Sequence, residues 1–285
     1  MAVKQHRILL LCKRSSLSLS RQHAPVLKNM PRFKDNHLAN RQSQDAVEKV
    51  LRAGSIPFDK KYRPDTVDYA RYSIVITVGG DGTFLQAARQ AGSKHLLLGV
   101  NSDPEWSVGQ FCRANAKNFH HFLKRILSGQ CQIKRLYKLA LKLTATDQHR
   151  LDIECLNDIL VCHANPAGMS RYAITINKHT EEHRSSGLWI SSAAGSTGAM
   201  LSAGGKILPL ESRNIQYRPR ELYHTRHEKY SLTGGVIASP ASILIRSHMP
   251  HGKIFVDGSH VKFPFIYNNT ALICSSSRFV QLVHA

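Results

Sequence analysis

The chain has 285 residues, 42% of them hydrophobic, and a formal net charge of +20 at pH 7. This length allows one large domain or two ordinary ones, and the composition excludes an intrinsically disordered chain. The longest apolar runs, of which Ile8–Cys12 is one, are much shorter than the roughly 18 residues that span a bilayer, so we expect no membrane association. We also expect no secretory signal, because such a run is too short for its hydrophobic segment.

The positive charge is compatible with a nucleic acid, with a polyanionic small substrate, or with no specific partner at all. Basic residues are spread along the whole chain, and no stretch interleaves them with aromatic residues as RNA-binding platforms do. We therefore expect no nucleic-acid partner, and charge alone does not decide the function.

The N-terminal segment has two interpretations. Residues 1–34 contain eight Lys or Arg and no acid before Asp35, which is compatible with a mitochondrial transit peptide. We favour a first buried strand at Ile8–Cys12 and a cytoplasmic protein. The six cysteines are scattered without any CxxC pair, so we predict reduced thiols and no metal-binding residues.

The first half of the chain alternates apolar runs with helical periodicity, which predicts a parallel sheet with flanking helices. The predicted strands are Ile8–Cys12, Ile74–Val78 and Leu96–Val100, and the predicted helices surround Asp45–Leu51 and cover Phe84–Ala91 and Asn115–Leu127.

From about residue 130, short alternating runs separated by Gly, Pro and Asn predict an antiparallel β domain. The predicted strands are Leu136–Thr144, Asp152–His163, Arg171–Asn177, Gly187–Ser191, Ile243–Arg246, Lys253–Val256, His260–Phe265, Leu272–Cys274 and Phe279–Val283, with one helix at Thr197–Ala203. The predicted fold is α/β: a Rossmann-like parallel sheet over residues 1–129, closed by residues 266–285, and an all-β, two-sheet sandwich-like domain over residues 130–265.

A glycine-rich loop follows the predicted strand Ile74–Val78, with the sequence Gly79-Gly80-Asp81-Gly82-Thr83. A strand that passes through glycines into a helix presents backbone N–H groups to phosphate. Neither the P-loop nor the dinucleotide fingerprint is present. Asp81 has two interpretations: a ligand-facing carboxylate at the carboxyl end of a parallel strand, or the N-cap of a helix that begins near Thr83.

The segment GGDGT after an apolar strand resembles the NAD kinase family, and also the related diacylglycerol, sphingosine and phosphofructo-kinases. Four later segments are similar to NAD kinases in order and spacing: CLNDILV, SSGLWISSAAGSTGAMLSAGG, LPLESRNIQYRPRE and IFVDGS. The resemblance covers about residues 70–285. GVNSDP, with the insertion around residues 99–112, and RSSGL look most like plant-type NADH kinases.

The resemblance implies transfer of the γ-phosphoryl group of ATP, carried with Mg²⁺ or another divalent cation, to the adenosine 2′-hydroxyl of NAD or NADH. It assigns Asp81 as general base. It further implies a homo-oligomer, a dimer or tetramer, whose first domain binds nucleotide and whose second binds the dinucleotide. The residues implied to bind phosphate are Gly79, Gly80, Gly82 and Thr83, and those implied to bind NAD are Asn157, Asp158, Arg184, Ser186, Gly195, Ser196, Thr197, Ser202 and Asp257.

Several of these residues also have purely structural interpretations. Asn157-Asp158 is a common turn pair, although its place in a strand-like run argues against a turn. Ser196 or Thr197 could simply cap a helix, and Asp257-Gly is a standard hairpin turn.

Two departures from the family pattern bear on the substrate. Ser186 stands where many NAD kinases have an aspartate near the nicotinamide, and Ala199 stands where they have a base-stacking tyrosine. Because only oxidised nicotinamide is cationic, loss of the carboxylate predicts good use of NADH and a possible preference for it. A lipid kinase with the same glycine loop and a basic nucleic-acid-binding protein on a decayed kinase fold are the alternatives. Polyphosphate as donor stays open.

Overall fold

The computed structural model describes residues 7–15, 18, 30–63, 65–224 and 229–284. The chain divides into two compact units, Met1–Arg135 with Val280–Ala285, and Leu136–Phe279. The division into two domains with limits at 129/130 and 265/266 stays a prediction. Most of the segment interpreted as either a transit peptide or a first strand lies outside the described residues, but Ile8–Cys12 is a strand.

The first unit is built on a parallel sheet. Strand β1 pairs with β2 on one side and with β3 on the other, and β3 pairs with β4. Strand β4 also pairs with β5 and with Gln281 and Leu282 near the end of the last strand, β17 (Thr270–Val283). The elements are β1 (Ile8–Cys12), α1 (Pro31–Ala53), β2 (Phe58–Tyr62), β3 (Ile74–Gly79), α2 (Asp81–Gln90), β4 (Leu96–Asn101), β5 (Cys112–Asn115) and α3 (Phe119–Leu127).

The predicted strands of this unit were recognisable because a parallel sheet covered on both faces requires uninterrupted apolar strands. Every residue of β1 and of β3 is buried. Helix α1 is much longer than its predicted part because its buried face includes the polar residues Asn40, Ser43 and Gln44, which interrupt the apolar period. Strand β2 was missed because its sequence, FDKKY, is mostly polar.

The second unit contains antiparallel strands in two sheets that share one core. One sheet has the order β13-β12-β11-β8-β15-β16, and the other contains β10-β9-β14-β17, with β6 pairing β17 and β7. The strands are β6 (Ile133–Thr144), β7 (Arg150–Cys155), β8 (Asp158–His163), β9 (Ser170–Ile176), β10 (His179–Ser185), β11 (Gly187–Ser191), β12 (Ile215–Arg220), β13 (Gly235–Ile237), β14 (Ser242–Ser247), β15 (Gly252–Val256), β16 (Val261–Pro264) and β17 (Thr270–Val283).

Side chains from both sheets fill this core, among them Ile190 and Ile254 from one sheet and Tyr172 and Ile245 from the other. The predicted fold class, a Rossmann-like parallel sheet plus a two-sheet β domain, is confirmed. Across the described ranges, no helix combines the length and the apolar character needed to cross a membrane.

Four predicted elements were wrong in detail. Asp152–His163 is two strands with a bend at residues 156 and 157, so Asn157 lies between strands and not within one. The helix predicted at Thr197–Ala203 is a 3-10 turn, Ala194–Thr197, followed by the single-turn helix α4, Ala199–Ser202. The two predicted final strands are one continuous strand, β17. Two strands were predicted because three consecutive serines interrupt its apolar residues.

Candidate nucleotide sites

The glycine loop joins β3 directly to α2. Helix α2 begins at Asp81, with Gly80 as its N-cap and no side chain capping it, so the interpretation of Asp81 as an N-cap was wrong. A Cβ atom on Gly79 would lie 2.3 Å from the Thr83 hydroxyl oxygen, which restricts this position to glycine. Since N–H groups in the first turn of a helix have no partner within it, the loop offers backbone donors to an anion.

The Asp81 carboxylate is oriented by backbone donors. Its Oδ2 accepts a hydrogen bond from the Gln110 N–H at 2.9 Å, and its Oδ1 accepts one from the Phe111 N–H at 2.8 Å. Each carboxylate oxygen has a second acceptor position, so Asp81 can still accept a hydrogen bond from a substrate hydroxyl. The sequence did not indicate these two donors, which lie about thirty positions along the chain.

The Thr83 side chain does not match its predicted role in binding phosphate. It is buried, and its hydroxyl points at Gly79 and has no hydrogen-bond partner among the described residues. Its backbone N–H donates to the Gly80 carbonyl at 2.9 Å. Of the predicted phosphate donors, Gly80 and Gly82 thus stay accessible, whereas Gly79 is buried at the end of β3.

A basic cavity of about 360 Å³ lies next to this loop. A Cβ on Gly79 would lie 3.1 Å from the Cβ of Lys13. Because Lys13 lines the cavity, this part of its wall lies against the glycine loop. This cavity was not predicted from the sequence, although Lys13 and Arg14 directly follow β1, at the sheet edge where α/β proteins bind ligands. The lining residues are Lys13, Arg14, Ser15, Ser18, His37, Asn40, Arg41, Gln44 and Tyr62.

Arg63 is a second cation beside the glycine loop. A Cβ on Gly82 would lie 3.3 Å from an Arg63 guanidinium nitrogen, and the guanidinium donates to the Gln86 side-chain oxygen. Burial, with the charge of Arg89 adding to it, lowers the pKa of Arg63. An anion bound beside Gly82 would therefore offset the repulsion between the positive charges of Arg63 and Arg89.

In the second unit, Asp257 organises the bend that carries Asn157. Its carboxylate accepts hydrogen bonds from the backbone N–H groups of Leu156, at 3.1 Å, and Asn157, at 2.6 Å. The Cys155 thiol donates to the same carboxylate at 3.2 Å, and burial raises the pKa of that thiol well above its usual value, which keeps it a donor. Asp257 occupies the β15–β16 turn, with φ of +48°, so it is both a turn residue and a support for Asn157.

Asn157 presents an unsatisfied polar group. Its side-chain oxygen is buried and has no hydrogen-bond partner in the described part of the chain. Its backbone carbonyl packs against Gly195, where a Cβ would approach to 2.1 Å. A buried amide acceptor without a donor is costly unless a ligand supplies one, so Asn157 is a candidate for reading a base.

Asp158 is buried beside Asp257, with 7% of its surface exposed. Burial, and to a smaller extent the charge of Asp257, raises the pKa of Asp158 to about 7. Lys138, 3% exposed, lies 3.6 Å from Glu154 in the same region, and burial lowers the pKa of Lys138 against the opposing effect of that carboxylate.

The raised pKa of Asp158 predicts a pH-dependent stability that Asp158→Asn removes. The unfolded carboxyl has a pKa near 3.9, so the unfolded state loses its proton first and the free energy of unfolding falls as pH rises from about 4 to 7. A shift of about three pKa units corresponds to about 4 kcal/mol, so Asp158→Asn should be more stable than the wild type at pH 8 by up to that amount. Urea unfolding without nucleotide at pH 4.5, 6 and 8 measures the difference.

The exposed Asp152→Asn provides the matched control, which should follow the wild type at each pH. A constant difference in stability between Asp158→Asn and the wild type from pH 4.5 to 8 would contradict the raised pKa.

The other predicted dinucleotide residues have different surroundings. Ser196 is buried, donating to the Ala193 carbonyl and accepting from the Leu208 N–H, so its hydroxyl holds the turn together. Thr197 ends the 3-10 turn, and Ser202 and Arg184 are exposed. Within the described ranges, no hydrogen bond joins Arg184, Ser186 or Ser202 to the cluster of Asn157, Asp158 and Asp257.

Solved structures of kinases have the same fold. The chain matches the crystal structure of yeast NADH kinase complexed with NADH, with a TM-score of 0.75 over 99% of this chain and 84% of that one at 14% identity. It matches an NAD kinase from Archaeoglobus fulgidus in complex with ATP, with a TM-score of 0.69 over 97% and 93% at 18% identity. The chain thus has the fold of these two kinases.

Sequence comparison then narrows the class. The chain is 33% identical over 271 residues to a probable NADH kinase of Oryza sativa subsp. japonica, covering 87% of this chain and 82% of the relative. No protein-family model matches the chain. With this identity and coverage, the chain belongs to the NAD kinase family.

Proposed function

We propose that this protein transfers the γ-phosphoryl group of ATP to the 2′-hydroxyl of the adenosine ribose of NADH or NAD, which makes NADPH or NADP. The observation that carries the proposal is the Asp81 carboxylate, held by two backbone N–H groups at the start of α2 within a glycine loop. Membership of the NAD kinase family supports the assignment of both substrates.

In the proposed mechanism, Asp81 accepts the proton of the 2′-hydroxyl while the hydroxyl oxygen forms a bond to the γ-phosphorus. The bond between the γ-phosphorus and the oxygen that bridges to the β-phosphate breaks at the same time, and ADP leaves. The two backbone donors fix the carboxylate, so little reorganisation accompanies the proton transfer. The N–H groups of the glycine loop and the cations of the basic cavity, Lys13 and Arg14, would hold the phosphates in line.

A divalent cation bound with ATP would screen the negative phosphate oxygens from Asp81. Among the described residues there is no group of three or more His, Cys, Asp or Glu side chains that could hold a metal ion. The residues present therefore fit a cation that is held mainly by the phosphates themselves, with Asp81 as the nearest acid of the loop.

The second unit would bind the dinucleotide. The orphaned Asn157 oxygen can accept a hydrogen bond from an adenine amine, and Asp158 can accept from ribose hydroxyls, which compensates for the burial of its charge. Asp257 and Gly195 hold the Asn157 backbone from two sides.

The kinase assay that tests this function follows the purified protein with ATP and Mg²⁺ and detects NADPH and NADP by mass spectrometry. Diacylglycerol and sphingosine as acceptors, and polyphosphate as donor, are assayed in parallel, together with salt-dependent binding to DNA and RNA. Phosphorylation of a lipid without phosphorylation of NADH or NAD would overturn the proposal. Nucleic-acid binding without phosphoryl transfer would overturn it as well.

Ser186 predicts the redox preference. The wild type should use NADH with a higher kcat/KM than NAD⁺, and Ser186→Asp should raise the ratio of kcat/KM for NAD⁺ to that for NADH by about 5-fold, because a carboxylate attracts only the cationic ring. Steady-state kinetics with both dinucleotides measure this ratio. Ser186→Asn, similar in size but neutral, is the control and should leave the ratio unchanged. A strong wild-type preference for NAD⁺ would contradict the interpretation.

Two finer features are part of the proposal. Assembly as a homodimer or homotetramer is tested by sedimentation of the purified protein. A cytoplasmic location agrees with six free cysteines and is tested by following a tagged full-length chain by microscopy. Transfer of residues 1–34 to a reporter that then enters mitochondria would favour the transit peptide instead.

A further inference from the structure

The loop between β4 and β5 exposes two apolar side chains. Trp106 is 62% exposed and Val108 is 89% exposed. The last residue of β4, Asn101, and the first two residues of the loop, Ser102 and Asp103, are buried and polar. A tryptophan on a buried polar support presents a large apolar face on which a ligand can pack.

Hydrogen bonds hold this loop in one conformation. The Asn101 side chain donates to the Ser107 carbonyl at 2.9 Å and accepts from the Asp103 N–H at 3.1 Å. The Asn36 side chain on α1 donates to the Asp103 carboxylate, and the backbone N–H of Trp106 donates to the backbone carbonyl of Asp103 at 3.3 Å. The indole is therefore presented by a fixed backbone, which lowers the entropic cost of binding.

The same loop forms part of the glycine-loop site. A Cβ on Gly80 would lie 2.9 Å from the Ser107 hydroxyl, and Gln110 and Phe111 donate to Asp81. Trp106 is the neighbour of Ser107, and consecutive Cα atoms are about 3.8 Å apart. The indole is thus carried within one residue of the point where the loop touches Gly80.

One face of the indole is already occupied by a cation. The Arg32 guanidinium lies 5.1 Å from the Trp106 ring centroid, while the side chain keeps most of its surface exposed. Arg32 therefore covers part of the ring, and the 62% of the residue that stays exposed leaves surface on which a second planar group can pack.

We propose that Trp106 is a stacking platform for the adenine of a nucleotide that binds at the glycine loop. The inference rests on the proposed kinase function, which brings two adenine nucleotides to the protein, ATP and NAD(H). Adenine stacks on aromatic side chains with enough free energy to change affinity by about 10-fold. Val108 extends the apolar surface on the same loop.

Fluorescence tests the stacking directly. The chain has two tryptophans, so Trp189→Phe, at a position in β11, leaves Trp106 as the reporter. ATP without acceptor, NAD without donor, and AMP are titrated separately, with ribose 5-phosphate as the control that lacks a base. NAD replaces NADH because reduced nicotinamide absorbs the indole emission. Saturable quenching by AMP and by ATP or NAD, without quenching by ribose 5-phosphate, is expected.

The two nucleotide arms identify the source of the adenine. Quenching by ATP alone assigns Trp106 to the donor, and quenching by NAD alone assigns it to the acceptor. The Trp106→Ala variant should raise the KM of the assigned nucleotide by about 10-fold with little change in kcat, and Trp106→Phe should restore most of the affinity.

Each negative result has a separate meaning. A protein that phosphorylates NADH but shows no quenching of Trp106, or an unchanged KM in Trp106→Ala, overturns the stacking proposal and leaves the kinase function in place. A change in sedimentation of Trp106→Ala without a change in KM assigns the exposed indole to contact between subunits and also overturns it. Saturable quenching without phosphoryl transfer to NAD or NADH overturns the proposed function and leaves the stacking in place.

Discussion

Asp81→Asn should lower kcat by about 100- to 10,000-fold while the affinity for NADH stays within a few-fold of the wild type. An amide cannot accept the 2′-hydroxyl proton, whereas binding of the dinucleotide does not depend on that transfer. Single-turnover kinetics measure the chemical step, and calorimetric titration measures the affinity.

The same substitution also disturbs the loop before β5. The amide nitrogen of the substituted side chain would face one of the two N–H groups that the carboxylate now accepts, so this loop loses a hydrogen bond. Asp103→Asn weakens the support of the same loop, at its bond with Asn36, without touching Asp81, and should change kcat by less than about 10-fold. A near-normal kcat for Asp81→Asn would refute the general base. An equal loss in Asp103→Asn would assign the effect to the loop.

Gly195→Ala is expected to lower kcat/KM for NADH by about 100-fold and to destabilise the fold by about 1–3 kcal/mol. Its Cβ would lie 2.1 Å from the carbonyl oxygen of Asn157, and that backbone is already held by Asp257. Because the atoms nearest to this Cβ belong to the Asn157 backbone and not to a flexible side chain, the clash is relieved only by moving Asn157 away from the place where we propose that the dinucleotide binds. Steady-state kinetics and urea unfolding measure the two effects.

Gly92→Ala is the matched control, since a Cβ there has no atom within 4 Å, and its activity and stability should equal those of the wild type. If Gly195→Ala binds NADH normally while losing stability, the packing of Gly195 on Asn157 supports the fold only, and the dinucleotide binds elsewhere.

Whether a strand could be predicted from the sequence depends on the strand's place in the sheet. Strands β1 and β3 were recognised because both of their faces are buried, so their residues are almost all apolar. Strand β10, with the sequence HTEEHRS, was missed because its exposed residues and its buried His183 and Ser185 are all polar. Its strand conformation comes from pairing with β9, a neighbour that composition does not reveal.

The candidate site divides in the same way. The sequence by itself determined the order of the motifs and the presence of an acid among glycines, because those are local properties of a few consecutive residues. It also placed Asn157 and Asp158 together, although it put them inside a strand instead of at a bend.

Only the tertiary structure decided which groups each of these side chains contacts, because the partners are distant in the chain. Asp81 is not a helix cap, because the helix begins at Asp81 itself and its carboxylate accepts hydrogen bonds from the backbone N–H groups of Gln110 and Phe111. Asp257 is a support for Asn157 and not merely a turn because its acceptors meet donors a hundred residues earlier. Trp106 is likewise an isolated aromatic residue in the sequence, and only the folded loop brings its neighbour Ser107 against Gly80. Hydrogen bonds and close packing between distant segments leave no periodic signal, so they become visible only once the chain is folded.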